Sequence, residues 1–114
     1  MAWEISIHSE VERWYLALPA ADQDAIAKAL DALEATGPTL GRPFVDVIKA
    51  SRHQNMKELR SSGGHFRLLF AFDQTRAAFV CVGGDKRNDW SGWYERNVPL
   101  ADLRYDEHLA TLKT

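Results

Sequence analysis

The runs HFRLLFAF (65–72) and AAFVCV (77–82) constrain this chain most. Each is apolar at nearly every position, and only DQTR (73–76) separates them. A strand with apolar side chains on both faces has to be covered on both faces, so the pair marks the centre of a sheet. MKELR (56–60), joined to the first run by SSGG (61–64), reads as a third strand. Three strands linked by two short polar turns predict an antiparallel meander.

The residues ahead of the meander have helical periodicity. Trp3, Ile5 and Ile7 alternate with Glu4 and Ser6, as a half-buried strand does. Ser9 and Glu12 stand at capping-box spacing, which predicts a helix starting at Ser9. Val11, Trp14, Tyr15 and Leu18 then share one helical face. Pro19 suits the first turn of a second helix, with Asp22 and Asp24 near its positive end and Ile26, Ala29, Leu30 and Leu33 as its buried stripe. Gly37 and Pro38 stop it. The link between the helices is short, so they form a hairpin. FVDVI (44–48) reads as a short strand or extended segment, and ASRHQN (50–55) as a polar connection.

Beyond AAFVCV, Gly83 and Gly84 are expected to end the strand. Asn88 or Asp89 caps a helical turn or two over WSGWYERN (90–97). Pro99 restarts or kinks that helix, and Leu100, Leu103, Leu109 and Leu112 carry it to the end. The order is β-α-α-(β)-β-β-β-α. It predicts an α+β fold: an N-terminal strand and helical hairpin packed on a small curved, mainly antiparallel sheet, with a C-terminal helix. The 114 residues suit one domain, 1–114.

Composition, 46% apolar and 26% charged, is that of a globular chain. The net charge of −2 argues against a general nucleic-acid binder, but its distribution is uneven. Residues 1–46 carry three Lys/Arg against eight Asp/Glu, whereas residues 47–97 carry nine against five. A basic middle of this kind can mark a local anion-binding face. Cys81 is the single cysteine and lies in an apolar run, which suits a reducing cytoplasm. The N-terminus has no signal-peptide pattern, and no apolar run approaches the ~20 residues of a membrane span.

Familiar catalytic motifs fail. GGDKRND lacks the spacing of a phosphate-binding loop, and DKRND lacks the Gly and Glu of a calcium loop. His8, His53, His65, His108 and Cys81 share no metal-ligand spacing, and no serine-centred nucleophile elbow is present. Cations on or beside strands remain. Period-two geometry puts Glu58 and Arg60 on one face of their strand, with Lys57 and Leu59 on the other. Arg67 lies among large apolar residues, where it either pairs with a carboxylate, Glu58 being the obvious one, or faces a solvated concavity. Lys86 and Arg87 leave the sheet at a strand end. Of the aromatics that follow, Trp90 or Trp93 is expected in the core and Tyr94 as a polar tip.

Taken together, MKELR, FRLLFAFD and GGDKRNDWSGWYERNVPLADLRYDEHL resemble the RelE/HigB-like toxins, and within them the phage-derived Gp49-like branch. The resemblance covers nearly the whole chain and is strongest from Met56 to Leu109. It implies the toxin of a type II toxin–antitoxin system, a ribosome-dependent endoribonuclease that cuts mRNA. In such toxins the RNA 2′-hydroxyl attacks its own phosphate, and neither metal nor other cofactor is needed. It also implies a cognate helix-turn-helix antitoxin and an oligomer formed with it. By position, Arg60, Arg67 and Lys86 match the basic active-site residues, and Tyr94 falls where relatives use a tyrosine or histidine. Lys57 and Arg87 are the matching phosphate contacts, Trp93 an aromatic RNA contact, and His53 and His65 added candidates for proton transfer or RNA contact. The fold also serves ParE-like toxins that poison gyrase, and a non-enzymatic phage or regulatory protein binding through the same groove. Those two readings stay open at this point.

Overall fold

β4 (Phe66–Phe72) and β5 (Ala78–Asp85) pair antiparallel at the middle of the sheet in the computed structural model, which describes residues 2–113. β3 (Lys57–Arg60) lies antiparallel on the outer side of β4, and β2 (Val45–Val47) antiparallel outside β3. β1 (Ile5–Ile7) joins the free edge of β5 in parallel. Among the described residues the sheet is therefore mixed and five-stranded, in the order β1-β5-β4-β3-β2. The predicted meander forms β3, β4 and β5, and β2 extends its antiparallel part by one strand.

The two apolar faces are covered by different layers. α1 (Ser9–Leu16) and α2 (Ala20–Thr36) form the predicted hairpin on one face, where Val11, Ile26, Ala29 and Leu33 pack on Leu59, Phe66, Leu68, Phe70, Ala78 and Val80. α3 (Trp90–Thr111) covers the other face, with Trp93, Val98, Ala101 and Tyr105 against Met56, Leu69, Ala71, Phe79 and Cys81. The strict alternation of Phe66, Leu68 and Phe70 with Leu69 and Ala71 between these cores explains why the central runs are apolar throughout.

Details at the element ends differ from expectation. α1 begins at Ser9, but its cap is His8, whose Nδ1 accepts from the Glu10 amide at 3.0 Å. Gly37 ends α2 at φ 76°, with the Trp3 indole packed where a side chain would stand. α3 is one helix running through Pro99, which removes a single backbone donor without dividing it. Among the described residues no helix is long and apolar enough to cross a membrane.

β5 departs most. It does not end at the glycines but runs through Gly83 and Gly84 to Asp85. Close approach is why both are glycine. A Cβ on Gly83 would stand 2.6 Å from the Trp14 ring of the hairpin layer, and one on Gly84 2.5 Å from the Trp93 indole of α3. β5 also carries a bulge. Leu69 pairs with Val82, while Phe70 pairs with Val80, so Cys81 is an extra residue. Cys81 and Val82 consequently both belong to the α3-side core. Every later side chain of β5 is moved to the opposite face from the one simple alternation predicts.

Candidate active site

The bulge decides where the strand-end cation goes. Counting from it, Gly84 faces α3, and so does Lys86, whose backbone N–H continues the ladder to the His65 carbonyl at 3.1 Å. On β4 the same face carries Arg67, and on β3 it carries Glu58 and Arg60. Arg60 pairs in register with Arg67, and Arg67 with Gly84. Three neighbouring strands thus deliver Glu58, Arg60, Arg67 and Lys86 to one corner beneath the first turns of α3, which contributes Trp90 and Tyr94.

Glu58 is the hub. Its Oε1 accepts from the Tyr94 hydroxyl at 2.7 Å and lies 2.9 Å from Arg67 Nε, while Oε2 lies 3.7 Å from Arg60 Nη2. The Arg67 contact is an ion pair set off the N–H direction, since that N–H finds no directed acceptor. Arg67 Nη1 donates to the Phe66 carbonyl at 3.0 Å and to that of Gly64, so the 5%-exposed guanidinium is satisfied by backbone as well as by charge. Arg60 is more open. Its Nη2 donates to Asp46 at 3.2 Å, and its buried Nε has no partner. Arg87 is exposed and pairs with Asp85 at 2.7 Å.

Lys86 is only 2% exposed. Its ammonium sits 2.8 Å from the centre of the Trp90 ring and 5.9 Å from that of Tyr94. Burial lowers its pKa, and the positive charge of Arg67 lowers it further, against the pull of Glu58. Tyr94 moves the other way: burial and its bond to Glu58 push the phenol up to about 12, so it is a protonated donor at neutral pH. The corner therefore holds an ammonium that is easier to deprotonate than usual beside a hydroxyl that is harder to ionise. A shallow pocket of about 260 Å³ opens beside Lys86, lined by Gly63, Gly64, His65, Arg87 and Trp90.

Of the residues singled out from sequence, Arg60, Arg67, Lys86 and Tyr94 are brought together, with His65 and Arg87 at the rim. Three are not. Lys57 lies on the hairpin face of β3, where its ammonium reaches the Pro38 carbonyl at 3.3 Å, so it is turned away from the cluster. His53 faces Asp106, with Nε2 2.7 Å from Oδ1 and its ring against Tyr105. Asp106 is twelve residues along α3 from Tyr94, about 18 Å of helix rise. Trp93 is 5% exposed and packed on Gly84, hence core, and the exposed indole is that of Trp90, at 70%. Sequence reasoning missed Trp90 as a site residue. Its signal was the helical separation of Trp90 and Tyr94, four residues apart on the face that meets Lys86.

Comparison with known proteins agrees with this architecture. A mutant of the Escherichia coli toxin RelE in the free state superposes with a TM-score of 0.63 at 14% identity, over 87% of this chain and 97% of that one. The archaeal RelE–RelB complex from Pyrococcus horikoshii gives a TM-score of 0.57 at 20% identity, over 77% and 99%. The fold is thus that of the RelE toxins. In sequence, HigB3 of Mycobacterium tuberculosis, named as a toxin, is 48% identical over 102 residues, 90% of each chain. The family described as phage-derived protein Gp49-like matches residues 13–106. The chain belongs to this Gp49-like family of RelE/HigB-like toxins.

Proposed function

We propose that the chain is a ribosome-dependent ribonuclease toxin that cleaves mRNA by attack of a 2′-hydroxyl on the adjacent phosphate. The observation that carries this reading is the gathering of Arg60, Arg67 and Lys86 around the Glu58–Tyr94 hydrogen bond. The reaction needs no protein nucleophile. It needs a proton acceptor at the 2′ oxygen, positive charge at the phosphate and a proton for the departing 5′ oxygen. Tyr94 keeps its proton and donates it to Glu58 at 2.7 Å. The phenolic oxygen can therefore take the 2′-hydroxyl proton while passing its own to the carboxylate. The 2′ oxygen then bonds to phosphorus, the bond from phosphorus to the 5′ oxygen breaks, and Lys86, with its lowered pKa, supplies the proton that oxygen takes up. Arg60 and Arg67 hold the equatorial oxygens. The protein's own cations supply the charge that a metal ion supplies in other nucleases.

RelE of Pyrococcus horikoshii is bound to RelB, and the same arrangement is proposed here: a cognate helix-turn-helix antitoxin that covers this corner and forms an oligomer with the toxin. Action on ribosome-bound mRNA places the work in the cytoplasm. The test is single-turnover cleavage of mRNA on programmed ribosomes. Products ending in 2′,3′-cyclic phosphate and 5′-hydroxyl are expected. Lys86→Ala and Arg60→Ala should each slow cleavage about 10²–10³-fold. Intact mRNA together with DNA breaks in cells making the chain would refute the reading in favour of a gyrase poison.

A further inference from the structure

We infer that Trp90 is the base-stacking residue of this site, and that its indole exchanges Lys86 for a nucleobase when RNA binds. This rests on the ribonuclease reading for the identity of the ligand. The chain has four tryptophans, and three are absorbed by the fold, each against a glycine: Trp3 on Gly37, Trp14 on Gly83 and Trp93 on Gly84. Trp90 packs on none. One ring face covers the Lys86 ammonium at 2.8 Å, yet the residue is 70% exposed. It stands at the first position of α3, where the Asp89–Arg96 pair at 2.6 Å steadies the turn that carries it.

The arrangement is self-masking. Lys86 lines the pocket but is 2% exposed, with its ammonium under the indole, so a phosphate in the pocket meets that ammonium fully only when the indole moves. A phosphate offers the ammonium full negative charge and hydrogen-bond acceptors, where the ring offers a quadrupole, so RNA arrival favours the exchange. Released, the indole presents an aromatic face beside the pocket formed with Gly63, Gly64, His65 and Arg87. A Cβ built on Gly63 or Gly64 meets nothing within 4 Å, so that side of the pocket is open for a planar base to enter. Stacking on indole is tolerant of sequence but stronger for larger rings, so purines gain more than pyrimidines.

The experiment uses programmed ribosomes whose A-site codon is blocked by 2′-O-methylation, so that binding is read without cleavage. Trp90→Ala should raise the Kd about 10- to 100-fold, more for a purine than for a pyrimidine at the cut position. Trp90→Phe should recover most of the affinity and Trp90→Leu should not, because a planar ring is required. Thermal melts should show all three variants folded, with Trp90→Phe nearest wild type because it keeps a ring over Lys86. On unblocked mRNA, wild type that cleaves while Trp90→Ala binds and cleaves equally well overturns the stacking role alone. Equal recovery by Phe and Leu, or equal losses for purine and pyrimidine, also overturns it. Wild type that binds blocked mRNA through Trp90 but leaves unblocked mRNA intact overturns the nuclease reading and keeps the stacking. A wild type that does not bind programmed ribosomes overturns both.

Discussion

Glu58 serves three partners with one buried carboxylate, and this makes it structural and functional at once. Removing one member of a buried ion pair leaves the other charge uncompensated, so Glu58→Ala should destabilise the fold by about 3–5 kcal/mol, read from denaturant melts. Arg60 shares the cluster but is half-open, and Arg60→Ala should change stability by less than about 1 kcal/mol while cleavage falls. If both melts shift equally, Arg60 is a structural member of the pair network. Lys86 predicts opposite pH trends for stability and activity. Its folded pKa is lowered, so between that value and the ordinary lysine range the unfolded chain binds more protons, and stability rises with pH. Cleavage, which uses the ammonium, is present at low pH and declines over the same window. The comparison belongs below about pH 10, because above it Tyr94, pushed up to about 12, contributes with the reverse sign. A pH–rate profile beside a pH–melting profile checks this, and parallel curves would refute it. The pairing of Glu58 with Arg67 was readable from sequence because both lie on regular strands whose alternation is intact. His53 was not, since its partner Asp106 is 53 residues away and nothing local announces it.

At the scale of elements, β5 is where legibility ended. An apolar run shows no alternation to disturb, so the extra residue at Cys81 leaves no mark in the sequence. That Trp93 is core, and not the RNA contact the resemblance implies, has a similar origin. The slot that takes an indole is made by Gly84 on another element, and helix periodicity alone cannot say which tryptophan reaches it. Gly83 and Gly84 look in the sequence like the end of a strand, whereas they thin the middle of a stack in which Trp14 presses from one layer and Trp93 from the other. Each glycine should therefore resist a methyl group. Gly83→Ala and Gly84→Ala should each cost about 1–3 kcal/mol by overpacking. Gly84→Ala should also slow cleavage, because Trp93 and Tyr94 are neighbours on α3 and a displaced indole moves the phenol off Glu58. Equal activity in the two variants after correction for the folded fraction would count against that linkage.

Across the whole molecule, charge is unevenly shared: the acidic first part builds the hairpin layer, and the basic middle supplies the cations of the corner under α3, where Asp46 of the first part meets Arg60. An antitoxin segment that covers the corner through charge should bind more weakly as salt rises, and calorimetry across ionic strengths tests it. An affinity flat with salt would leave apolar contact as the main term. The two-sided core carries a different consequence, which follows from the bulge in β5. A sheet buried on both faces sorts its residues by odd and even number, and one inserted residue exchanges the two sets for everything downstream. The position of Lys86 is thus a matter of counting more than of chemistry. Cys81→Ala should leave the toxin active, and so should deletion of Cys81, which keeps Leu69 opposite Val82 and Phe70 opposite Val80; one residue inserted after Val82 should silence it by sending the lysine toward the hairpin. In this strand, a change of length by a single codon is tolerated at the bulge and nowhere beyond it.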